Sequence, residues 1–311
     1  MAHQSSKVKQ LIILSGKGGT GKTSLVAAFA HLSNKNESTR KAVYVDADVD
    51  AANLSLVLHP ETKSTHEFWG GSLAEINPKE CSGCGSCSEV CRYDAIFPVS
   101  NHSSVYKVDP IACDGCAACV YACPQSAISM VQQQEGHWYQ STTPFGHLFH
   151  AELFPGKENS GKLVTLVKQQ ARLWVDDNAF SHIVIDGPPG IGCPVISACA
   201  GTDLGLLVTE PGLSGLHDLM RVTGILKHFK VPVIICINKA DIYPEGTKRI
   251  REFADEQSID VVGEIPFDEL IPQSMLIGSP ITAAFPKSPS SISIRSIWER
   301  SFQALFDDKE V

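Results

Sequence analysis

The run Leu11-Ile12-Ile13-Leu14-Ser15-Gly16-Lys17-Gly18-Gly19-Thr20-Gly21-Lys22-Thr23-Ser24 joins a short apolar stretch to a glycine-rich turn, after which Ser24 to Leu32 has the composition of a helix. That is strand, loop, helix. In a GxxxxGKT loop the glycines let backbone N–H groups approach phosphate oxygens, where side chains would block them. Lys22 supplies a point charge for the β and γ phosphates, and the Thr23 hydroxyl suits a Mg2+ ligand. Gly18, Gly19, Thr20, Gly21, Lys22, Thr23 and Ser24 are therefore the candidate phosphate-binding residues.

Outward from this loop the pattern alternates. Ala42-Val43-Tyr44-Val45 is a second apolar run and ends at Asp46-Ala47-Asp48, after which the pattern pauses around residues 70 to 75. It resumes near Ser160, where Leu163, Val164, Val167, Ala171 and Trp174 keep helical spacing. Four more strand candidates follow: His182 to Ile185, Leu204 to Val208, Val231 to Ile237 and Asp260 to Ile265. Helical stretches such as Leu213 to Phe229 and Gly246 to Glu256 separate them. Strands alternating with helices predict an α/β fold, a doubly wound, mostly parallel sheet covered on both faces. Ligands of such sheets sit at the carboxyl ends of the strands, where these motifs lie. The stretch Ser290 to Phe306 offers Ile294, Ile297, Trp298, Phe302, Leu305 and Phe306 to one side. Its few cations suit packing on the core better than a membrane surface.

The gap in the alternation holds eight of the eleven cysteines. They form Cys81-x2-Cys84-x2-Cys87-x3-Cys91 and Cys113-x2-Cys116-x2-Cys119-x3-Cys123-Pro124. Zinc ribbons use separated C-x2-C pairs, whereas this spacing sets three thiolates round one iron-sulfur cluster and sends the fourth to its neighbour. The expected sets are Cys81, Cys84, Cys87 and Cys123 for one [4Fe-4S] cluster, and Cys113, Cys116, Cys119 and Cys91 for the other. After the second run, Ile128 to Met130 and Trp138-Tyr139 flank Glu135-Gly136 as an expected hairpin. The expected division is 1–74 and 151–311 for a split nucleotide-binding domain and 75–150 for the insert.

Composition bounds the function. A net charge of −8 disfavours nucleic acid, whose binding rests on Lys and Arg neutralising phosphates. No run of about 20 apolar residues occurs and Met1 to Lys7 has no apolar core of a signal peptide, so a cytoplasmic protein without stable membrane insertion is expected. Reduced thiols in that compartment suit metal ligation rather than disulfides.

The second lysine, Lys17 in Lys17-Gly18-Gly19-Thr20-Gly21-Lys22-Thr23, resembles the deviant Walker A motif of the MinD, ParA and nitrogenase iron-protein ATPases. The resemblance implies that Lys17 reaches across a dimer to the partner's nucleotide, so the active unit would be a homodimer or a heterodimer with a related ATPase. Asp46-Ala47-Asp48 resembles the family's switch I, which implies that Asp48 positions the attacking water. Ile185-Asp186-Gly187-Pro188-Pro189-Gly190 resembles switch II, which implies that Asp186 holds Mg2+ through water. In Asn238-Lys239-Ala240-Asp241 the asparagine would contact adenine, as in MinD-like proteins, or the aspartate would read guanine, as in GTPases. The loop Ile265-Pro266-Phe267-Asp268 favours ATP and adds Pro266 and Asp268 to the expected base site.

Residues 75–150 are similar to a small α+β two-cluster bacterial-type ferredoxin, with Arg92 where that pattern has proline. Cys193 lies seven residues after Asp186, like a cluster-bridging cysteine of the nitrogenase iron protein. The second cysteine such a bridge needs is missing between Pro155 and Lys162, and Cys199 and Cys236 suit buried small hydrophobes. These parts together lead to an ATPase, with Lys17, Lys22 and Asp48 catalytic, that couples nucleotide-driven rearrangement to electron transfer to a partner protein. An iron-sulfur assembly factor for a client protein and a MinD/ParA-like positioning ATPase with a redox-sensing insert are the alternatives.

Overall fold

The computed structural model describes residues 8–35, 41–100, 105–157, 160–178 and 180–307. The stretch Met1 to Lys7, expected to lack a signal peptide, lies outside them. Leu11, Ile12, Ile13 and Leu14 are wholly buried in the strand Lys9–Ser15. A strand buried at consecutive positions must be covered on both faces. Leu11 and Ile13 share one core with Leu25, Val26 and Phe29 of the helix Lys22–Lys35 and with Ile294, Ile297 and Leu305 of the helix Pro289–Phe306. Leu163, Val164 and Val167 of the helix Ser160–Asn178 are buried as well.

Strand order across the sheet is Asp260–Ile265, Val233–Asn238, Leu204–Thr209, Lys9–Ser15, His182–Pro189, Ala42–Asp46, Gly146–Leu153, and then Ile128–Thr143 and Glu61–Ile76. Lys9–Ser15 pairs in parallel with both His182–Pro189 and Leu204–Thr209. Ala42–Asp46 is parallel to His182–Pro189 in a register that sets Asp46 opposite Asp186. Val233–Asn238 is parallel to its two neighbours, and Ala42–Asp46 to Gly146–Leu153. The fold is therefore α/β with a large, mostly parallel sheet. The helix Pro289–Phe306 packs Trp298, Phe302 and Phe306 against the core, and its Trp298 Nε1 donates to Ser33 Oγ at 3.2 Å. No helix among the described residues is long and apolar enough to cross a membrane.

The chain divides into two compact units. The larger is Met1–His66, Trp138–Glu152 and Ser160–Val311; the smaller is Glu67–His137 with Leu153–Asn159. The expected hairpin at Glu135-Gly136 does not form, because the strand Ile128–Thr143 runs through it unbroken and Gly136 keeps an ordinary extended backbone. Glu135 is buried with its carboxylate against Gly70 and Gly71, where any Cβ would collide with it. The chain turns later, where Thr143 Oγ1 donates to Gly146 O at 2.9 Å and accepts from Phe145 N at 3.0 Å.

Within the smaller unit the two cysteine runs fold alike. Cys81 N donates to Asn77 O at 3.1 Å and Cys113 N to Asp109 O at 3.0 Å. Asn77 N reaches Ala127 O at 2.8 Å, and Asp109 N reaches Ala95 O at 2.7 Å, so each half bonds to the other. Short helices Ser86–Glu89 and Ala118–Ala122 follow the left-handed residues Gly85 and Ala117. The centre holds Cys87 with Cys119 and Ile96 with Ile128. Gly115, at φ +73°, lies under the Ser72 carbonyl, so a side chain there is both strained and blocked. Gly115→Ala should destabilise the protein by about 1–3 kcal/mol. Ala117→Gly, which relieves a left-handed alanine, should be neutral or stabilising, and urea denaturation of the two variants compares them.

Candidate nucleotide site

The turn between strand Lys9–Ser15 and helix Lys22–Lys35 bends through Gly19 at φ 75° and Gly21 at φ 95°. Both are left-handed, so glycine is required. A Cβ on Gly18 or Gly19 would meet nothing within 4 Å, so the loop backbone is bare toward an open cavity of about 1000 Å3. The cavity is lined at one end by Gly18, Gly19, Gly21, Lys22, Thr23, Ser24 and Asp48, and at the other by Asn238, Pro266 and Asp268. Ten of the expected site residues thus share one wall. Thr20 is buried beneath the loop, its carbonyl accepting from Asn238 Nδ2 at 2.8 Å.

Charge at the phosphate end is unbalanced. Lys22, buried, donates to Ser15 Oγ at 2.9 Å; burial lowers its pKa, while Asp186, Asp48 and Asp46 pull the other way. Burial pushes the Asp186 carboxyl up to about 7, with the nearby Thr23 hydroxyl and the Lys22 charge opposing, and neither of its oxygens makes a hydrogen bond of good geometry. Asp46 is pushed up by burial and by Asp186, but its oxygens accept from Asp48 N at 3.2 Å and Leu54 N at 3.1 Å. It braces the segment that carries Asp48. Burial also raises Asp48, with Lys22 opposing. One ammonium among three carboxylates leaves a deficit of positive charge, and the unpartnered Asp186 beside Thr23 fits a hydrated divalent cation.

Lys17 does not line this cavity. Its ammonium lies 3.2 Å from Glu210 Oε2, while Lys239 holds Glu210 Oε1 at 2.5 Å. Burial pushes Glu210 up, but the two lysines outweigh it and hold the carboxyl below its usual range. Sequence reasoning missed Glu210; its one signal is its position directly after the strand Leu204–Thr209, at the carboxyl edge. Asp241 also lies outside the cavity wall, its Oδ1 accepting from Phe267 N at 2.7 Å.

The family model for the CobQ/CobB/MinD/ParA nucleotide binding domain matches residues 11–281. The chain belongs to this family. An uncharacterised protein of Methanocaldococcus jannaschii is 34% identical over 293 residues, 94% of this chain and 96% of that one. The septum site-determining protein MinD of Bacillus subtilis is 29% identical over 155 residues, 48% of this chain and 57% of its own. In fold, the chain is similar to MinD complexed with Mg-ADP from Pyrococcus horikoshii, at a TM-score of 0.58 and 20% identity, covering 97% of this chain and 99% of that one.

For a member of the MinD/ParA family the cysteine-bearing unit is a second candidate site. Cys81, Cys84 and Cys87 line a small cavity together with Cys123 from the other run, and Tyr106 closes it. Cys91, Cys113 and Cys119 pack in the apolar centre of the same unit, while Cys116 is exposed. Among the described residues no three His, Cys, Asp or Glu side chains converge on a single-ion site. Cys193 is exposed, and Cys199 and Cys236 are buried, their thiols pushed up to about 11 and about 12 by burial.

A carboxyl whose pKa rises on folding binds its proton more tightly in the folded state. Stability without nucleotide should therefore fall as pH rises from about 4 to about 7. Asp186→Asn should flatten this slope and stabilise the nucleotide-free protein at pH 8 by about 1–3 kcal/mol. Melting curves from pH 5 to 8 measure both effects.

Proposed function

We propose that this protein is a MinD/ParA-like switch ATPase that binds ATP with Mg2+ and alternates between two states as it hydrolyses it. The observation that carries this reading is the glycine-walled end of the large cavity, which Lys22 and Asp48 line and where the buried Asp46 and Asp186, off the wall, act on Lys22. The backbone N–H groups of Gly18 to Thr23 and the Lys22 ammonium would bind the β and γ phosphates, Thr23 would hold Mg2+ with Asp186 acting through water, and Asp48 would orient the attacking water. Adenine is favoured over guanine. Asp241, which would read guanine, spends an oxygen on the Phe267 amide, whereas Asn238, Pro266 and Asp268 face the cavity.

Lys17 serves a second subunit in this reading. Its ion pair with Glu210 is the resting arrangement, exchanged for a partner's phosphates when two chains close on ATP. Such switches recruit other proteins in one nucleotide state. The relatives named for septum placement and cell division favour a positioning or recruiting role for the ATPase part.

The smaller unit adds a redox function. The grouping of Cys81, Cys84 and Cys87 with Cys123, one thiol borrowed from the other run, supports one [4Fe-4S] cluster with crossed ligation, and the repeat of the same backbone in the second run supports the other. Clusters bound there would store and pass single electrons. The chain's own residues hold them: four thiolates each, with Ala95 N and Ala127 N donating to Cys91 Sγ and Cys123 Sγ at 3.4 and 3.3 Å. The unit either senses redox state for the switch or passes electrons to the protein that the switch recruits.

Lys22→Ala should weaken ATP binding about a hundredfold or more, the loss of a buried charge pair. Asp48→Ala should retain binding but slow hydrolysis by about 10²–10⁴-fold, and should accumulate as a dimer with ATP in light scattering. Equal masses for wild type and Asp48→Ala would remove dimer closure from the mechanism. Anaerobically purified protein should contain about eight iron and eight sulfide per chain. Cys123→Ala should lose about half of that iron; stoichiometric zinc with little sulfide would reject the clusters.

A further inference from the structure

The two halves of the smaller unit repeat each other closely enough to be compared position by position. Asn77 corresponds to Asp109, Gly85 to Ala117, Cys91 to Cys123, Asp94 to Ser126 and Ala95 to Ala127. Both Gly85 and Ala117 are left-handed, at φ 81° and 62°, and so are Asp94 and Ser126, at φ 50° and 52°. The equivalent sulfurs of Cys91 and Cys123 accept from the amides of Ala95 and Ala127. In backbone terms the two four-cysteine sites are the same.

Their side chains differ in hydroxyl groups: Ser82 lines the first site's cavity, and both its hydroxyl and that of Ser86 reach Cys84. Ser86 Oγ lies 3.4 Å from Cys84 Sγ, and the Tyr106 hydroxyl comes so near Gly85 that a Cβ there would stand 2.9 Å from it. Both belong to the site of Cys81, Cys84, Cys87 and Cys123, whose cavity Tyr106 lines. At the corresponding positions of the other site stand Asp114 for Ser82, Ala118 for Ser86 and Ala74 for Tyr106, none of which has a hydroxyl. Charges do not reverse the contrast. Asp114 and Arg92 both act on Tyr93 near Cys116, with opposite signs and at an exposed edge where solvent screens them.

We infer that the two sites are unequal by construction, and that an electron entering this unit resides at the Cys81–Cys84–Cys87–Cys123 site because Ser86 and Tyr106 supply hydroxyl donors there. The inference rests on the proposed iron-sulfur reading. Hydroxyls donated toward cluster or thiolate sulfur favour the reduced, more negative form and raise its potential. The exchange is a single electron passing from one cluster to the other, so one is oxidised as the other is reduced and no further reactant is needed. The Cys113–Cys116–Cys119–Cys91 site is then the stronger donor of the pair, with Ser86 and Tyr106 setting the direction.

The test is a redox titration of the full chain, purified anaerobically and followed by electron paramagnetic resonance, with iron and sulfide measured first. With about eight of each present, wild type should reduce in two steps separated about tenfold in equilibrium, ~59 mV for one electron. Ser86→Ala and Tyr106→Phe should each lower the higher step about threefold and leave the lower one in place. The double variant should close most of the gap, with Ser82 still in place at Cys84. Ala118→Ser should raise the lower step alone, a gain that general damage would not produce. Coincident steps in wild type, or equal shifts of both steps in Ser86→Ala, would overturn the inference while the clusters stand. A chain with little iron and sulfide would overturn the cluster reading, and the inference with it.

Discussion

The register of two adjacent parallel strands governs the larger unit. Because Ala42–Asp46 and His182–Pro189 end in step, Asp46 and Asp186 meet side by side at the carboxyl edge of the sheet, both wholly buried. Two carboxylates removed from water at such short range are costly unless something neutralises them. Lys22 does so in part, since helix Lys22–Lys35 starts over the same edge. Burial, with Asp48 adding to it, pushes Asp186 up to about 7, so protonation or a bound cation relieves what Lys22 leaves.

Around that edge the loops are tied to one another rather than left free. Asn238 donates to the Thr20 carbonyl and lies so close to Gly21 that a Cβ there would stand 2.6 Å from its nitrogen. The base-side turn therefore locks the phosphate loop. Asp241 holds Phe267 N, joining that turn to the loop that carries Asp268. Glu210 draws Lys17 and Lys239 together from two loops distant in sequence. These ties connect the phosphate end to the far end of the cavity.

The smaller unit solves a different problem. It has few apolar residues at its centre, and cysteines supply a good share of them. Crossed hydrogen bonds, Asn77 to Ala127 and Asp109 to Ala95, make each half complete only against the other. The same crossing brings Cys123 to the first run's cavity. On near-identical backbones the two halves carry unequal side chains beside the cysteines, Ser82, Ser86 and Tyr106 against Asp114, Ala118 and Ala74.

The apolar runs at Leu11, Ala42, His182, Leu204, Val231 and Asp260, each followed by a glycine or aspartate turn, determined the parallel sheet and the edge on which the site lies. Those signals are local: a buried parallel strand is a continuous apolar run, and a phosphate loop is one uninterrupted string of residues. The last two strands at one end of the sheet were harder to read. Glu61–Ile76 and Ile128–Thr143 are largely polar and lack clean alternation, and Glu135-Gly136 has turn composition but is held straight by the fit of Glu135 against Gly70 and Gly71. Glu210, the orphaned oxygens of Asp186 and the tether from Asn238 to Thr20 have no sequence signature, because each depends on which strands become neighbours. Local spacing carries the chemistry of a residue; only the tertiary structure decides its charge partners, since burial and proximity belong to the packed sheet and not to the order of the chain.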